Sequence, residues 1–235
     1  MRSCATGMQG AVTPARHAAC ASVATPWVFD FVPSPAALDA ALKRLLDVTL
    51  TLVLLLPALP VLFLAALFIR LTSRGPVLFV QPRVGRRAVE FSMYKLRTMV
   101  AGAERMEAGI ARGEASTFLK VRNDARVTAV GRVMRKLSID ELPQLFNVLR
   151  GDMSLVGPRP LLRCDLEKLP PAARARRFLV KPGITGLWQV SGRSDCSDEE
   201  RVRLDQEYVE RWTPWLDLVI LARTIPAVLL MRGAS

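Results

Sequence analysis

The stretch VTLTLVLLLPALPVLFLAALFI, residues 48–69, contains 22 residues without a charge. About 20 apolar residues are enough to cover the hydrocarbon core of a bilayer, so this stretch predicts a membrane segment. Pro57 and Pro60 lie at its centre, where each removes a backbone donor and clashes with the preceding turn. We therefore expect a helix that is broken at one or both of these prolines.

Basic residues flank this stretch on both sides. Lys43 and Arg44 precede it, and Arg70 and Arg74 follow it. Because Lys and Arg favour the cytoplasmic side of a membrane, both ends are drawn to the same face. Two topologies stay open on these residues: a re-entrant segment that enters, bends and returns, and an ordinary spanning helix with a proline kink.

The whole chain is both basic and apolar. Among 235 residues, 33 Lys and Arg stand against 21 Asp and Glu, a formal charge of +12, while 51% of the residues are hydrophobic. Nucleic-acid-binding domains are basic but usually hydrophilic, so this combination favours a protein of an anionic membrane surface with anionic substrates. The aromatic content of 6% is low for stacking on bases, and we expect no nucleic acid partner.

Several kinds of catalytic centre are excluded from the main body of the chain. His17, the one histidine, lies in residues 1–35, which we interpret as a poorly ordered leader. Histidine triads and histidine zinc sites are therefore not available beyond the leader. The four cysteines lack metal-ligand spacing, and no Walker or GxGxxG loop is present. Acid–base chemistry then falls to carboxylates, Lys, Tyr or Cys.

The densest candidate site is RKLSIDELPQLFNVLRGDMSLVGPRP, residues 135–160. Asp140 and Glu141 stand at the predicted start of a helix, whose dipole and free amides would lower a carboxylate pKa. Such an aspartate can cap the helix, bind a divalent cation or attack phosphorus. Ser138 with Glu141 also fits a capping box, which is the purely structural interpretation. Arg135 and the proline-flanked Arg159 are candidates for binding phosphate, or are ordinary surface arginines.

Two further clusters carry polar residues in an unusual setting. In MYKLRTM, residues 93–99, Lys95 and Arg97 alternate onto one face of a predicted strand, where they either bind a pyrophosphate or are solvated. The run KPGITGLWQVSGR, residues 181–193, is either a binding loop for a nucleobase or phosphate or a structural glycine-rich turn.

The remaining pattern predicts a small mixed domain. We expect short strands at 76–81 and 89–96, and helices at 127–137, 140–149 and 197–212. The helix at 197–212 opens with a capping box of Ser197 and Glu200. The last apolar segment, 215–231, is too interrupted to span a membrane and is either a core helix or a helix in the membrane interface.

Taken in order, these motifs resemble the bacterial sugar transferase family of monotopic phosphoglycosyl transferases. The resemblance covers roughly residues 40–235 and begins with Lys43-Arg44-x-x-Asp47 and the proline-broken apolar segment. It continues through the following motifs: GPVLFVQPRVG, YKLRTM, LSIDELPQLFNVLRGDMSLVGPRP and KPGITGLWQVSGR.

The resemblance implies an activity and its residues. Members of the family transfer a sugar 1-phosphate from a UDP-sugar to undecaprenyl phosphate and release UMP, through an aspartyl phosphosugar intermediate in a ping-pong mechanism. By similarity Asp140 is the nucleophile, and Glu141 helps to hold Mg²⁺. The other implied residues are these: Lys95, Arg97, Arg135 and Arg159 at the phosphates; Gly183, Gly186, Gln189 and Arg193 in the donor-site loop.

The resemblance also implies an architecture and a location. The expected fold is α+β and mostly helical: a re-entrant helix-break-helix at 36–74, with the break at Pro57 and Pro60, followed by a small cytosolic domain at 75–235 with short strands and amphipathic interfacial helices. The protein would lie at the cytoplasmic face of the bacterial inner membrane, bind anionic phospholipids and form small homo-oligomers. A non-catalytic basic membrane scaffold and a nucleic-acid-binding protein are the competing interpretations.

Overall fold

The computed structural model describes residues 37–103, 124–192 and 196–229. The leader at 1–35 and Arg193 lie outside these ranges. The described helices are α1 Ala37–Thr72, α2 Ala129–Lys136, α3 Gln144–Arg150, α4 Arg163–Glu167, α5 Pro171–Arg177, α6 Leu187–Ser191, α7 Asp198–Glu210 and α8 Pro214–Leu229. The strands are β1 Leu78–Val84, β2 Glu90–Leu96, β3 Ser154–Val156 and β4 Gly183–Thr185. The described part of the chain is thus mostly helical with short strands, as predicted, and these strands form two small sheets.

The apolar stretch lies within α1, a 36-residue helix that contains both Pro57 and Pro60. Among the described residues it is the one helix long and apolar enough to cross a membrane. Many of its large apolar side chains are exposed, including Leu56 at 74% and Phe63 at 70%. A helix with so much exposed apolar surface suits a lipid environment. The predicted return of the chain at the prolines stays a prediction.

The two sheets are built differently. Strands β1 and β2 form an antiparallel hairpin in which Phe79 pairs with Lys95. Strands β3 and β4 pair in parallel, with Ser154 opposite Gly183 and Val156 opposite Thr185. The hairpin confirms the two strands predicted from the alternation of side chains. The parallel pair joins the motif at 135–160 to the motif at 181–193.

The main core lies between α1, α3, α7, α8 and the sheets. Its fully buried members include Val148 of α3, Met153, Tyr208 of α7 and Ile220 of α8. Leu55 of α1 belongs to the same cluster, so the apolar helix packs against the globular part of the chain. The site described below is therefore built on elements that share this core.

The first part of α1 is tied to the domain by polar side chains. Arg44 donates to the carbonyls of Val148 and Leu149, at 2.6 and 2.7 Å, near the end of α3. Asp47 accepts hydrogen bonds from the Leu155 amide at 3.0 Å and the Ser154 hydroxyl at 2.9 Å. These bonds fix α3 and β3 relative to α1.

Candidate active site

Asp140 and Glu141 lie in a single 3₁₀ turn, Ile139–Glu141, between α2 and α3. The predicted helix from 140 to 149 is instead divided, because Pro143 has no N–H to continue the hydrogen bonding and α3 begins after it. The predicted capping box is wrong: Ser138 has a left-handed backbone, with φ of 56°, and its side chain caps nothing. The acidic pair is thus held by a tight turn.

Glu141 is paired with two cations. Its Oε1 accepts from Lys95 Nζ at 3.0 Å and from Arg159 at 3.1 Å. Burial acts to raise the pKa of this carboxyl, but the charges of Lys95 and Arg159 outweigh it and lower the pKa to about 2. Glu141 is therefore ionised at neutral pH, and its Oε2 has no hydrogen-bond donor among the described residues.

Asp140 differs sharply from its neighbour. It is 8% exposed, and no residue that the structure describes donates a hydrogen bond to it. Burial, followed by the charge of Glu141, raises its pKa to about 6, against the opposing effects of Lys95, Arg135 and Arg159. The lowered pKa expected at a helix start is wrong, because no turn of backbone amides donates to this carboxylate. Asp140 is an ionised, unpaired carboxylate above about pH 6.

Arg159 is fixed by its backbone as well as by Glu141. It follows Gly157, whose backbone lies so close to β4 that a Cβ on Gly183 would be 2.1 Å from the Gly157 nitrogen. The carbonyl of Arg159 accepts a hydrogen bond from Arg177, which is itself paired with the buried Asp205. These contacts hold the backbone of the loop that carries Arg159 against β4 and Arg177.

The other predicted cations differ in their placement. Lys95 lies on β2 and contacts Glu141, as described above. Arg135 donates from Nε to the Thr98 hydroxyl at 2.9 Å, and its charge reaches Asp140. Arg97 instead donates to the carbonyls of Arg74 and Ser73, at 2.8 and 3.0 Å, at the end of α1. The structure thus brings Lys95, Arg135 and Arg159 to the acidic pair but directs Arg97 to the end of α1.

The glycine-rich loop is mainly a support for the site. A Cβ on Gly186 would meet the Gly157 carbonyl at 2.4 Å, so this glycine and Gly183 permit close contact with the loop of Arg159. Gln189 donates to the Ile184 carbonyl at 3.0 Å within its own loop. This geometry favours the structural interpretation of these three residues.

Glu141 lines a shallow depression, whereas its neighbour Asp140 does not belong to the lining. The lining combines three cations with one carboxylate and a buried amide, and consists of Arg83, Met93, Lys95, Glu141, Gln144, Arg159, Pro160 and Gly183. Three cations around one carboxylate leave an excess of positive charge, which suits a phosphate-bearing ligand. A carboxylate next to such a positively charged surface is an arrangement that suits phosphoryl transfer.

Comparison with known proteins decides the family. The model of the family "Bacterial sugar transferase" matches residues 38–231. The chain belongs to this family. The resemblance seen in the motifs is thereby confirmed, and with it the prediction of a sugar transferase enzyme of the phosphoglycosyl type.

The curated relatives agree with this assignment. The chain is 44% identical over 200 residues to "Undecaprenyl-phosphate galactose phosphotransferase" of Salmonella typhimurium, covering 82% of this chain and 41% of that protein. It is 41% identical over 198 residues to "Exopolysaccharide production protein ExoY" of Sinorhizobium fredii, covering 82% and 87%. A third relative, "Undecaprenyl-phosphate glucose phosphotransferase" of Komagataeibacter xylinus, is 45% identical, with 83% and 37% covered. The chain thus spans about two fifths of the first and third relatives and most of ExoY.

Two lining residues were missed from the sequence. Arg83 of β1 donates to the Pro160 carbonyl at 3.3 Å and to Gln81 Oε1 at 2.7 Å, while its Nε is buried without a partner. Burial and the charge of Arg159 lower its pKa to about 10. Gln144 is 3% exposed and follows Glu141 by three residues. The three-residue separation from Glu141 could have predicted that Gln144 lies on the same side of the turn as the acidic pair. No comparable spacing pointed to Arg83.

The family resemblance implies Mg²⁺, and the acidic pair fits this ion in part. No group of three or more His, Cys, Asp or Glu that suits a metal occurs in the described parts of the chain. Mg²⁺, however, is commonly bound by one or two carboxylates together with substrate phosphates and water. Asp140 and the Oε2 of Glu141 would supply two such carboxylate ligands, and a phosphate substrate and water would supply the others.

Proposed function

We propose that this protein transfers a sugar 1-phosphate from a UDP-sugar to undecaprenyl phosphate, with release of UMP. The reaction would be the first membrane step of exopolysaccharide, O-antigen or related glycan synthesis. The observation that carries the proposal is the unpaired Asp140 beside a Glu141 that two cations hold ionised. The names of the Salmonella and Komagataeibacter relatives support the same lipid phosphate as acceptor.

The proposed first step is attack by Asp140 on the β-phosphorus of the donor. The carboxylate oxygen forms a bond to phosphorus, and the bond from that phosphorus to the bridging oxygen breaks, so that UMP leaves with the electron pair. In the second step an oxygen of undecaprenyl phosphate attacks the same phosphorus and releases Asp140 as a carboxylate. Lys95 and Arg159 neutralise the diphosphate so that an anionic nucleophile can approach it.

Glu141 has a supporting role in this mechanism. Its charge raises the pKa of Asp140 and so increases the basicity of the nucleophile. Together with Asp140 it would hold Mg²⁺, which supplies charge neutralisation at the phosphates when bound. Arg135 contributes a further positive charge near Asp140.

The covalent step is tested by leaving out the acceptor. Purified protein mixed with Mg²⁺ and a panel of UDP-sugars should release about one UMP per active molecule with its cognate donor, then stop. The sugar phosphate should remain on the protein as an acyl phosphate that hydroxylamine removes. Steady UMP release without acceptor would mean hydrolysis, and no release with any donor, with or without undecaprenyl phosphate, would overturn the transferase proposal.

We also propose that α1 is re-entrant and that the domain lies at the cytoplasmic face of the inner membrane. The contacts at the two ends of α1 support this: Lys43 donates to the Val156 carbonyl at 3.2 Å, and Arg97 donates to the Arg74 carbonyl at 2.8 Å. Both ends thus contact the same globular part, which can occupy one side of a membrane. The basic residues at both ends favour the cytoplasmic side.

Cysteine labelling distinguishes the two topologies. Ala40→Cys and Arg74→Cys would be made separately in a chain whose four natural cysteines are replaced by serine. With a re-entrant α1, a membrane-impermeant maleimide labels both positions in inverted vesicles and neither in spheroplasts. Labelling of the two positions from opposite sides would establish a spanning helix and overturn the proposal.

A further inference from the structure

A second group of cations lies beside the first part of α1, outside the candidate active site. A Cβ on Gly151, at the end of α3, would lie 3.6 Å from Lys181 Nζ and 3.9 Å from Arg44 Nη2. Outside the adjacent residues, no atom is nearer to that point, so the space beside Gly151 is open and bordered by two cations. The charge of Arg86 also acts on Lys181. We call Arg44, Arg86 and Lys181 the basic cluster.

Two members of the basic cluster have no acceptor for their charge. Lys181 is half-buried, and its ammonium group donates to no residue that the structure describes. Arg86 Nε is buried and has no hydrogen-bond partner in the same parts of the chain. Burial, the charge of Arg44 and that of Arg86 lower the pKa of Lys181 from its usual value. The three cations therefore repel one another, and an anion bound between them would relieve this repulsion.

The carboxylates nearest to Lys181 already have partners of their own. Asp47 and Asp152 both attract Lys181, in opposition to the two arginines. Asp47, however, accepts the amide and hydroxyl hydrogen bonds from β3 described above. Asp152 is paired with Arg150 at 3.4 Å. Three cations beside two partnered carboxylates leave an excess of positive charge at this surface.

The position of the basic cluster indicates where an anion would come from. Arg44 lies four residues before the uncharged stretch 48–69. In either topology of α1 the boundary of this stretch lies at the membrane surface, where lipid phosphates are found. Large apolar side chains of α1 are exposed nearby in the sequence: Leu45 at 62% and Leu52 at 52%. Cations beside exposed apolar residues match a lipid with an anionic head group better than a free phosphate ion.

We propose that the basic cluster binds the phosphate of an anionic phospholipid, whose acyl chains lie along the exposed apolar residues of α1. An ammonium and a guanidinium together can donate to several oxygens of one phosphate. The bound head group would hold the start of α1 to the end of α3 and to the loop that carries Lys181. This site is separate from the acidic pair, and the inference does not depend on the proposed transferase function.

The test measures lipid binding to the full-length chain in detergent, with no UDP-sugar present. Native mass spectrometry gives the Kd of dioctanoyl phosphatidylglycerol, and dioctanoyl phosphatidylcholine and inorganic phosphate are titrated in parallel. We expect one phosphatidylglycerol per chain, and Lys181→Gln should weaken its binding by about tenfold, the loss of one charge-assisted hydrogen bond. Arg203→Gln, which removes a charge from an exposed pair with Glu200, should retain the parental Kd.

Three results of this titration would overturn the proposal. Equal binding of phosphatidylcholine would show that the head group need not carry a net negative charge. Equal binding of inorganic phosphate would show a site for a free anion. Equal weakening by Lys181→Gln and Arg203→Gln would show attraction by the net charge of the protein, with no defined site.

Thermal unfolding separates a lipid site from a structural role of Lys181. Phosphatidylglycerol should raise the Tm of the parent but not that of Lys181→Gln. Without lipid, the Tm of Lys181→Gln should equal or exceed that of the parent, because burial and Arg44 disfavour the lysine charge. A lower Tm without lipid would mean a structural role and contradict the proposal. Displacement of phosphatidylglycerol by equimolar undecaprenyl phosphate would assign the cluster to the proposed acceptor and overturn the phospholipid assignment.

Discussion

Asp217 and Asp140 are similarly buried carboxylates, at 6% and 8% exposed, yet their surroundings are opposite. Asp217 of α8 accepts from the Tyr208 hydroxyl at 2.8 Å, from Lys43 at 2.6 Å and from Trp212 Nε1 at 3.2 Å. Asp140 accepts from nothing among the described residues. Both of the oxygens of Asp217 are satisfied, whereas those of Asp140 are open to a ligand.

The difference shows how the molecule separates stability from reactivity. A buried carboxylate with a full set of donors joins elements that must stay together, here α1, α7 and α8. The unpaired Asp140 keeps a raised pKa, which in the proposed mechanism makes it a better nucleophile. We call these the anchor cluster (Lys43, Tyr208, Trp212 and Asp217) and the reaction cluster (Lys95, Asp140, Glu141 and Arg159).

The largest effect should come from Asp140→Asn in the reaction cluster. An amide cannot attack phosphorus, so we expect UMP release with donor and acceptor to fall by at least about 10³-fold. The unfolding temperature should stay equal to or above that of the parent, because a desolvated charge is removed. Asp152→Asn, a change to a carboxylate paired with the exposed Arg150, serves as the matched control and should retain activity. Turnover by Asp140→Asn at the parental rate would refute the covalent mechanism.

The anchor cluster should respond in the opposite way. Asp217→Ala leaves Lys43 and two other donors without their acceptor, and we expect a loss of about 3–5 kcal/mol in the free energy of unfolding, on the order of 10 °C in Tm. The kcat measured below the unfolding transition should change far less than in Asp140→Asn. Glu207→Ala removes only an exposed pair with Arg211 and should cost about 0.3–0.5 kcal/mol. Equal stability of the two variants would contradict the anchor role.

A smaller effect should arise where a buried ion pair supports the reaction cluster. Arg177→Lys keeps the charge beside Asp205 but cannot also reach the Arg159 carbonyl, because its single nitrogen lacks the forked geometry. We expect kcat/KM to fall by about tenfold, the loss of one strong hydrogen bond. Arg163→Lys, in an exposed pair with Glu90, is the control. A fall in Tm with unchanged kcat/KM would limit Arg177 to a structural role.

The smallest effect should be a shift in pH dependence. Activity should decline as pH falls through about 6, because the Asp140 carboxylate must be ionised to attack. The charge of Arg135 lowers this pKa, so Arg135→Gln should raise it and move the acid limb to higher pH. Rates normalised to the plateau would show the shift, with Arg163→Gln as a control that keeps the parental limb. A limb that moves to lower pH would contradict the electrostatic role of Arg135.

Local elements were predictable from the sequence. The alternation at 76–81 and 89–96 predicted the strands β1 and β2, because strand residues alternate between two faces whatever their partner is. Ser197 caps α7 as expected, with its hydroxyl accepting from the Glu200 amide at 3.2 Å, which is the serine half of the predicted capping box. Both signals depend on residues a few positions apart, so the tertiary context did not change them.

Features set by distant contacts were not predictable. The same type of capping box failed at Ser138, because the end of α2 imposes a left-handed backbone there. Arg97 lies two residues from Lys95 and was expected to bind phosphate with it. It instead contacts the Arg74 carbonyl, 23 residues away in the sequence, just beyond the end of α1. The raised pKa of Asp140 depends on burial by elements that the local sequence does not reveal. The sequence placed Lys95, Arg135 and Arg159 near the acidic pair, while the protonation and the pairing of these residues required the fold.

The polar contacts of Lys43 and Arg44 have a practical consequence for preparing this enzyme. A shortened chain that begins after α1 would lose the donors to three carbonyls, those of Val148, Leu149 and Val156. It would also leave Asp217 without its lysine. Deleting the apolar helix α1 to gain solubility would therefore remove contacts that stabilise the globular domain. Purification of the full chain in detergent or lipid nanodiscs is the better route to an active sample.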